Sequence, residues 1–519
     1  MSRRRKIWIV LGTVLAAAIL IPFIHHYQLR AAVNAYIAEL KARGEPMDLA
    51  QVLPPPVTSE QNSAEVFRHA DDLFNESFHA DKSLLETNFV YGMRMVAPGK
   101  AMIRWQQADI RDIDGTNSWE NVTAAVVQNA KAFALLQQIV ETPTFDFQIK
   151  YDRGVTDLVF TNLYLTQTKR SALRLETAGL SALHQGNTSS AVKNLRAILA
   201  LVKALRDERL VISELVRMAI TQIALTVNWE IMQSPNLTDE QLIELQRDWI
   251  DLEFVQTEEN ALAMERTIGE ITLAKWRSSN FELQHYFSLG KEASESMGLP
   301  SNEETVLTKA KTTAKIFLWR YWWSYPDEMR CLKGYEALLE APRFARTNYS
   351  FQIPLLRQRA QLQTLGIDKL DDEFMGLFNP EKMDMHSMLS QSVLSLSKVF
   401  DKVLKVEAGK QLTITAIALK RYQLKHGSYP ANLNLLVPEF LPAVPLDPTN
   451  GKPMRYHLSS DETFLLYSIG ADGLDDGGDP NVANPNTQLP YWQYGRDWVW
   501  PQPASAEEIQ AYYARPAKN

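Results

Sequence analysis

The sequence predicts a mainly α protein with an N-terminal transmembrane helix, an irregular helical-hairpin domain and a small C-terminal domain of a different character. Three observations support this prediction. An apolar run from Ile7 to Ile24 follows a basic flank. Apolar residues then recur at spacings of three and four over much of the chain up to Lys425, which is typical of amphipathic helices. A stretch rich in aspartate and glycine, from Tyr467 to Asp479, interrupts this pattern near the C-terminus.

The N-terminal segment predicts a single membrane span. Its apolar run is about as long as a helix that crosses a bilayer. Four basic residues precede the run: Arg3, Arg4, Arg5 and Lys6. Because basic flanks remain in the cytoplasm, we expect residues 1–28 to form a cytoplasmic flank and an anchor in the inner (cytoplasmic) membrane. The bulk of the chain is then periplasmic or otherwise extracytoplasmic.

A cleaved signal peptide is the alternative interpretation of this segment. The apolar core of a signal peptide would be shorter, and small residues suited to cleavage occur only at a distance, at residues 31–35. His25 and His26 lie where the span meets water. Neighbouring residues point to different sides of a helix, so the pair favours interfacial anchoring over a zinc site.

Residues 29–62 are predicted to be a stalk and a linker. Leu29 to Ala42 continues in helix-forming residues, and the three prolines at 54–56 impose an extended stretch.

Residues 63–385 are predicted to form a helical scaffold or interaction domain. Its clearest unit runs from Leu158 to about Met232. A first helix ends at Gly186, where glycine can adopt a left-handed conformation, and Asn187 and Thr188 can cap the next helix. No period of about 34 residues is sustained, so we expect an irregular stack rather than a repeat array.

Several functional classes are excluded or disfavoured. The net charge of −7 argues against a nucleic-acid partner. The sequence has no zinc-protease, serine-hydrolase, phosphate-loop or dinucleotide motif, so no catalytic residue is assigned. The single cysteine, Cys331, rules out an intramolecular disulfide and is predicted to be a small buried hydrophobe.

Two residue groups invite a functional interpretation. Glu258, Glu259, Glu265 and Glu270 accompany Arg266 on one helical stretch, a pattern that favours a solvated face over an acid/base pair. Aromatic residues cluster twice, which favours packing in the core or at a domain interface over sugar stacking or a membrane surface. The clusters are Phe317, Trp319, Tyr321, Trp322, Trp323 and Tyr325, and then Tyr491, Trp492, Tyr494, Trp498 and Trp500.

The acidic loop near the C-terminus is the best candidate site. Crowded carboxylates require a neutralising cation or water, and glycines allow backbone carbonyls to turn inward, a combination that suits calcium. Leu474 and Ala483 stand where an EF-hand needs its third and twelfth ligands, so the loop is not an EF-hand.

Motifs around this loop resemble the C-terminal globular domain of the major pseudopilin of type II secretion. The matching residues are Tyr422, His426, Gly427, Tyr429 and Pro430, then Pro445 to Pro448, Gly451, Pro453 and Tyr456, and finally Tyr467 to Gly473. The resemblance covers about residues 390–500 and departs from the family at Thr449-Asn450.

The resemblance implies an α+β pseudopilin-like domain over residues 386–503, followed by a tail, 504–519. It also implies a structural Ca²⁺ held by aspartates and backbone carbonyls. Asp472 matches the family directly, and Asp497 is assigned to the aspartate that closes the family's loop. The predicted metal ligands are Asp472, Asp475, Asp476, Asp479 and Asp497. A solvated acidic turn without a metal is the alternative.

Three functional hypotheses remain. The favoured one is a non-enzymatic envelope protein that displays a calcium-stabilised domain to envelope or secretion proteins. The alternative is an envelope enzyme, acting on glycans, with its site in the helical domain. The third is a tail reused as a folding module without a secretion role. The pilin leader is absent and the membrane segment lacks a glutamate, so pilus assembly is not expected.

Overall fold

A computed structural model of the chain describes residues 3–76, 93–112, 115–154, 163–296, 306–367, 386–482 and 492–514. The structure is 66% helical and 6% strand, which confirms the predicted mainly α class. The predictions that involve Leu158, Ala483 and Tyr491 fall outside the described residues.

The helices and strands follow one another along these ranges. The helices are α1 (Arg3–Ala42), α2 (Leu49–Val52), α3 (Ala64–Glu76), α4 (Trp119–Gln128), α5 (Ala130–Gln138), α6 (Leu163–His184), α7 (Thr188–Ala204), α8 (Val211–Met232), α9 (Asp239–Ile250), α10 (Val255–Ser278), α11 (Asn280–Ser296), α12 (Val306–Leu318), α13 (Ser324–Asn348), α14 (Gln352–Thr364), α15 (Ser390–Ser397), α16 (Val399–His426) and α17 (Ala506–Tyr513). The strands are β1 (Met95–Ala97), β2 (Lys100–Ala101), β3 (Ile110–Asp112), β4 (Gly115–Asn117), β5 (Arg455–Leu458), β6 (Phe464–Ser468), β7 (Trp498–Val499) and β8 (Gln502–Pro503).

Helix α1 joins the predicted anchor and the predicted stalk without a break. Its 40 residues correspond to a length of about 60 Å. Near its C-terminal end, Val33 and Leu40 are buried in a small apolar cluster with Met47 and with Leu332 of α13. Towards its N-terminal end, Trp8 is exposed. One end of α1 is therefore docked on the helical region, and the other extends away from this cluster.

Ion pairs fix the chain where it leaves α1. Glu45 accepts hydrogen bonds from Arg343 at 2.6 Å and from Arg266 at 3.0 Å. Arg266 also donates to Glu336 of α13 at 2.8 Å, and its side chain is fully buried. A buried guanidinium without carboxylate partners would be strongly destabilising. These pairs thus bind the end of α1 to α10 and α13.

The predicted helical hairpin is present as α6 and α7. Gly186 between them has a φ of +74°, as expected for a left-handed C-terminal residue. The Asn187 side chain caps α7 by accepting a hydrogen bond from the Ser190 amide at 3.0 Å. The Thr188 hydroxyl lies instead 2.7 Å from the Ser234 hydroxyl.

Helix α8 lies at the centre of the helical region. By length and apolarity α8 could cross a membrane, but 72% of its apolar window is buried inside the protein. Trp229 on this helix is fully buried and donates its indole N–H to the Pro501 carbonyl at 2.9 Å. This burial makes α8 a core helix.

The C-terminal region packs directly on the helices. Helix α16 contacts α8 and α9, and the strands β5, β6 and β7 form an antiparallel sheet in that order. Gln246 of α9 donates to the Phe440 carbonyl at 2.9 Å. Strand β2 pairs in parallel with β8. A single apolar core therefore continues across residue 386, where the sequence predicts a domain boundary.

The aromatic clusters only partly fill the core. Trp319 is fully buried, and Trp492, Trp498 and Trp500 are also buried, as predicted. The prediction of packing is wrong for Phe317, Tyr321 and Trp322 in the first cluster and for Tyr494 in the second, which are exposed. Residues 319–323 form a π-helical turn. The prediction relied on the large area that aromatic side chains bury, which does not show which residues of a cluster face the core.

Candidate functional site

The acidic loop follows directly after β6. It turns through four glycines with φ between +72° and +84°, a conformation that other residues rarely adopt: Gly470, Gly473, Gly477 and Gly478. A Cβ on Gly470 would collide with the Arg496 carbonyl oxygen. These turns let the loop fold back onto the segment that leads into β7, which carries Asp497.

Asp497 is the most unusual residue of the loop. Its side chain is fully buried, and Oδ2 accepts hydrogen bonds from the amides of Gly478 at 2.7 Å and Asp479 at 3.2 Å. Its Oδ1 is buried without a hydrogen-bond partner among the described residues. Burial raises the pKa of Asp497, and the charges of Asp475 and Asp476 raise it further against the two amide bonds. An unpaired buried carboxylate oxygen is unfavourable unless a cation or a proton satisfies it.

Asp475 lies beside Asp497 but already has protein partners. Its Oδ2 accepts a hydrogen bond from Arg455 at 3.1 Å, and its Oδ1 accepts from the Tyr467 hydroxyl at 3.0 Å and the Gly477 amide at 3.2 Å. Desolvation would raise the pKa of Asp475, but these donors together lower it. Asp475 is therefore held ionised by donors from β5, β6 and its own loop.

The carboxylates of the other three predicted ligands, Asp472, Asp476 and Asp479, also have protein partners. The carboxylate of Asp472 is exposed and accepts from the amide of Leu474 at 3.0 Å, within its own turn. Asp479 accepts from the backbone and side-chain nitrogens of Asn481, and hydrogen bonds from Asn481 lower its pKa. Asp476 and Asp479 each lie within 4.0 Å of the Arg496 guanidinium.

The fit to calcium thus depends mainly on Asp497. In the described part of the chain, no group of three or more His, Cys, Asp or Glu side chains is arranged to hold a metal ion. The Oδ1 of Asp497, which no described residue satisfies, together with backbone carbonyls would supply the hard oxygen ligands that calcium takes. A bound Ca²⁺ would also offset the repulsion from Asp475 and Asp476.

Asp447 organises the loop, although the sequence did not identify it as a site residue. It is fully buried. Its carboxylate accepts from the Thr449 amide at 3.0 Å, the Ser468 hydroxyl at 2.8 Å and the Ile469 amide at 2.9 Å. Asp447 therefore fixes the start of the acidic loop to the preceding Pro-Leu-Asp-Pro turn. Its position inside that motif is the sequence signal that could have identified it.

The acidic helix α10 is not a solvated face, and that prediction is wrong. Glu258 and Arg266 are both buried. Burial raises the pKa of Glu258 well above its ordinary value, and it raises the pKa of Glu265 to about 7. Glu265 accepts a hydrogen bond from the Val211 amide at 3.2 Å. The helix is surrounded by partners distant in sequence, which its own periodicity does not reveal.

Glu208 is another buried carboxylate that the sequence did not single out. It lies just before α8 and accepts hydrogen bonds at Oε2 from Ser213 at 2.5 Å and Tyr164 at 3.1 Å. Its Oε1 is buried without a hydrogen-bond partner among the described residues. Burial raises the pKa of Glu208 to about 8, which outweighs the two hydrogen bonds.

The cavity of about 740 Å³ at the end of α1 bears on the enzyme hypothesis. Three carboxylates line it, and each forms an ion pair with arginine: Glu45 with Arg266 and Arg343, Glu336 with Arg43 and Arg266, and Glu340 with Arg357. The described residues that line it include no tryptophan. The cavity is therefore a charged groove between α1, α13 and α14, and Tyr36 and Phe344 are the aromatic residues among the described residues that line it.

Comparisons of the chain with protein-family models, curated proteins and solved structures found no match.

Proposed function

We propose that the chain is a single-pass membrane protein whose extracytoplasmic part is a helical scaffold. The scaffold presents a calcium-stabilised, pseudopilin-like C-terminal unit to other proteins of the envelope. In this proposal α1 is both the anchor and the stalk, and the C-terminal unit is the contact module.

The continuity of α1 is the observation that supports this proposal most. An apolar run behind four basic residues passes without a helix break into a segment whose Val33 and Leu40 are buried against the helical region. A flexible linker would let the folded part move freely above a membrane. A docked helix instead gives it a defined height and direction.

The calcium part of the proposal is supported by Asp497. Asp497 is fully buried near two further aspartates, and one of its oxygens has no hydrogen-bond partner in the described part of the chain, an arrangement that a bound cation would stabilise. The ion would act by mass action on folding rather than in a reaction. It would keep the acidic loop folded and so preserve the surface that partners contact.

The secretion link comes from the pseudopilin resemblance of residues 390–500 alone. It is tested by in-cell photocrosslinking of the full chain from Leu474 and Leu458, two exposed positions of the C-terminal unit. Val127 on α4 is an exposed control outside that unit. We expect adducts with a secretion-apparatus protein from the two C-terminal positions and not from Val127. If neither Leu474 nor Leu458 forms an adduct with a secretion component, the proposed link to secretion is wrong.

The glycan-acting enzyme remains the alternative. It requires carboxylates and tryptophans that converge on one cavity. The charged groove at the end of α1 gives it little support, because its carboxylates are already neutralised by arginine.

A further inference from the structure

The charged groove at the end of α1 has the size of a small-molecule site. Its volume of about 740 Å³ falls within the range of about 300–1,000 Å³ that such sites occupy. One face of α13 lines it from Lys333 to Asn348, a length of about 22 Å at 1.5 Å per residue. The C-terminal parts of α1 and α14 line it as well. Three separate elements therefore meet around one space of ligand size.

Two of the carboxylates that line the groove have both oxygens occupied. Glu45 accepts hydrogen bonds from Arg343 at Oε1, over 2.6 Å, and from Arg266 at Oε2, over 3.0 Å. Glu336 accepts from Arg266 at Oε1 and from Arg43 at Oε2, each over 2.8 Å. These oxygens are thus already used within the protein, so a cationic ligand would have to displace an arginine to reach them.

The basic side chains of the groove, in contrast, have donors left for a ligand. Arg43 is half exposed and donates to Glu336 through one terminal nitrogen, whereas a guanidinium carries five N–H groups. Lys333 is exposed, and its Nζ lies 5.8 Å from the centre of the Tyr36 ring. No carboxylate among the described residues forms an ion pair with Lys333. An ammonium and a guanidinium side by side attract carboxylate and phosphate groups.

The charges around the groove also favour an anion. The groove and the ion pairs that continue from it contain four carboxylates and six basic side chains. The carboxylates are Glu45, Glu259, Glu336 and Glu340, and the basic residues are Arg43, Arg266, Lys333, Arg343, Arg346 and Arg357. Glu39 on α1 adds a fifth carboxylate near Arg43. One positive charge is still in excess.

Two aromatic side chains indicate an organic ligand rather than a bare ion. Tyr36 and Phe344 both line the groove. The Arg357 guanidinium lies 5.0 Å from the centre of the Phe344 ring, as Lys333 lies beside Tyr36. Aromatic rings favour contact with apolar or ring-shaped groups. An inorganic ion would leave both rings uncovered.

We propose that the charged groove binds a small organic anion in which a carboxylate or a phosphate is joined to a ring. Lys333 and Arg43 hold the acidic group beside Tyr36, and the organic part extends along α13 towards Phe344. This site goes beyond the function proposed above, because the ligand contacts both α1 and α13. A ligand that binds only the docked arrangement stabilises it by mass action, so the docking of α1 becomes sensitive to the ligand.

Fluorine NMR of the full chain in nanodiscs tests this proposal. The carboxylate probe is N-acetyl-4-fluorophenylalanine, and its primary amide keeps the ring without the charge. The phosphate probe is 4-fluorophenyl phosphate. Empty nanodiscs give the line width of each probe without protein. The Lys333→Met variant removes the ammonium of the groove, and Lys193→Met, at an exposed lysine on α7, is the matched control.

We expect the full chain to broaden the resonance of at least one anionic probe and to bind the amide about tenfold more weakly. Lys333→Met should weaken binding of that anion by about three- to fivefold, the loss expected for one exposed charge pair, and Lys193→Met should bind it as wild type does. Broadening of the carboxylate alone or of the phosphate alone would identify the acidic group.

Three results would overturn the proposal. The first is that neither anionic probe is broadened beyond its width in empty nanodiscs. The second is that the amide binds as well as the anions, because the site would then not select charge. The third is that Lys333→Met binds the anion as tightly as wild type does, which would place the binding outside the charged groove.

Discussion

At the residue scale, Asp497 is the group whose surroundings most need a cation. It is fully buried, one oxygen has no partner among the described residues, and two neighbouring aspartates raise its pKa. Asp472, which matches the pseudopilin motif directly, instead turns its carboxylate to the Leu474 amide. The two residues therefore provide a matched pair for a metal test.

We predict that Ca²⁺ stabilises the full-length protein through Asp497. Thermal unfolding should shift to a higher temperature in calcium than in chelator, because an ion that binds only the folded state stabilises it by about 2.7 kcal/mol at 100 times Kd. The Asp497→Asn variant should lose this shift, and Asp472→Asn should retain most of it. Coincident thermal unfolding curves of the wild-type protein in calcium and in chelator would contradict calcium binding.

Glu208 should make stability depend on pH. Its pKa is about 8 in the fold and 4.5 as an ordinary glutamate, so the folded state binds the extra proton between these values. Stability from this group therefore falls as pH rises from about 4.5 to about 8 and levels off above that range. Each pKa unit corresponds to about 1.4 kcal/mol.

The Glu208→Gln variant should therefore lose less stability than wild type between pH 5 and pH 8, by up to a few kcal/mol. Urea unfolding of the full chain at the two pH values measures this difference. Glu240→Gln, an exposed glutamate on α9, is the control and should follow wild type. A pH dependence of Glu208→Gln equal to that of wild type would show that other groups control the response.

At the element scale, the docking of α1 on α13 is the contact with the greatest consequence. Leu40 is fully buried there, whereas Glu39 next to it is exposed. A Leu→Ala change at a buried site costs about 2–5 kcal/mol. Removing the Leu40 side chain should first destabilise the short docked segment of α1, since local stability follows local burial.

We predict that Leu40→Ala speeds amide hydrogen exchange over residues 29–42 of the full chain in nanodiscs. The Glu39→Ala control should exchange at the wild-type rate. Equal exchange in Leu40→Ala and wild type would mean that the ion pairs of Glu45 hold the end of α1 without the apolar cluster.

Local sequence predicted several elements well. Gly186 and Asn187 mark the α6–α7 hairpin because glycine and cap residues act on their own backbone. The burial of α10 could not be predicted from local sequence in the same way. Arg266 is neutralised by Glu45 and Glu336, which are distant in sequence, and periodicity alone does not show which face meets the core.

The candidate site was also predictable from sequence only in part. The glycines and aspartates of the acidic loop are visible in sequence, and the resemblance to pseudopilins singled out Asp497. The role of Asp447 depends on hydrogen bonds to Ser468 and Ile469 across the fold. Glu208 depends on Tyr164 and Ser213 in the same way. Only the folded chain brings these groups together.

At the scale of the whole molecule, the C-terminal unit is part of the helical core rather than an appendage. Trp229 of α8 donates to Pro501, Gln246 of α9 donates to Phe440, and β2 pairs with β8. Stabilising the acidic loop should therefore stabilise the helices to which it is joined. The proposed anchor, the scaffold and the contact module would then act as one mechanical unit.

Membrane topology tests the central claim most directly. Alkaline phosphatase, which is active only outside the cytoplasm, and green fluorescent protein, which fluoresces when it folds inside, are fused in turn after Asn519 of the full chain. We predict active phosphatase, a dark green fluorescent protein fusion, and both fusions in the carbonate-resistant membrane fraction. A fluorescent fusion with inactive phosphatase, or release of the chain from membranes by carbonate, would contradict a single-pass anchor with an extracytoplasmic scaffold.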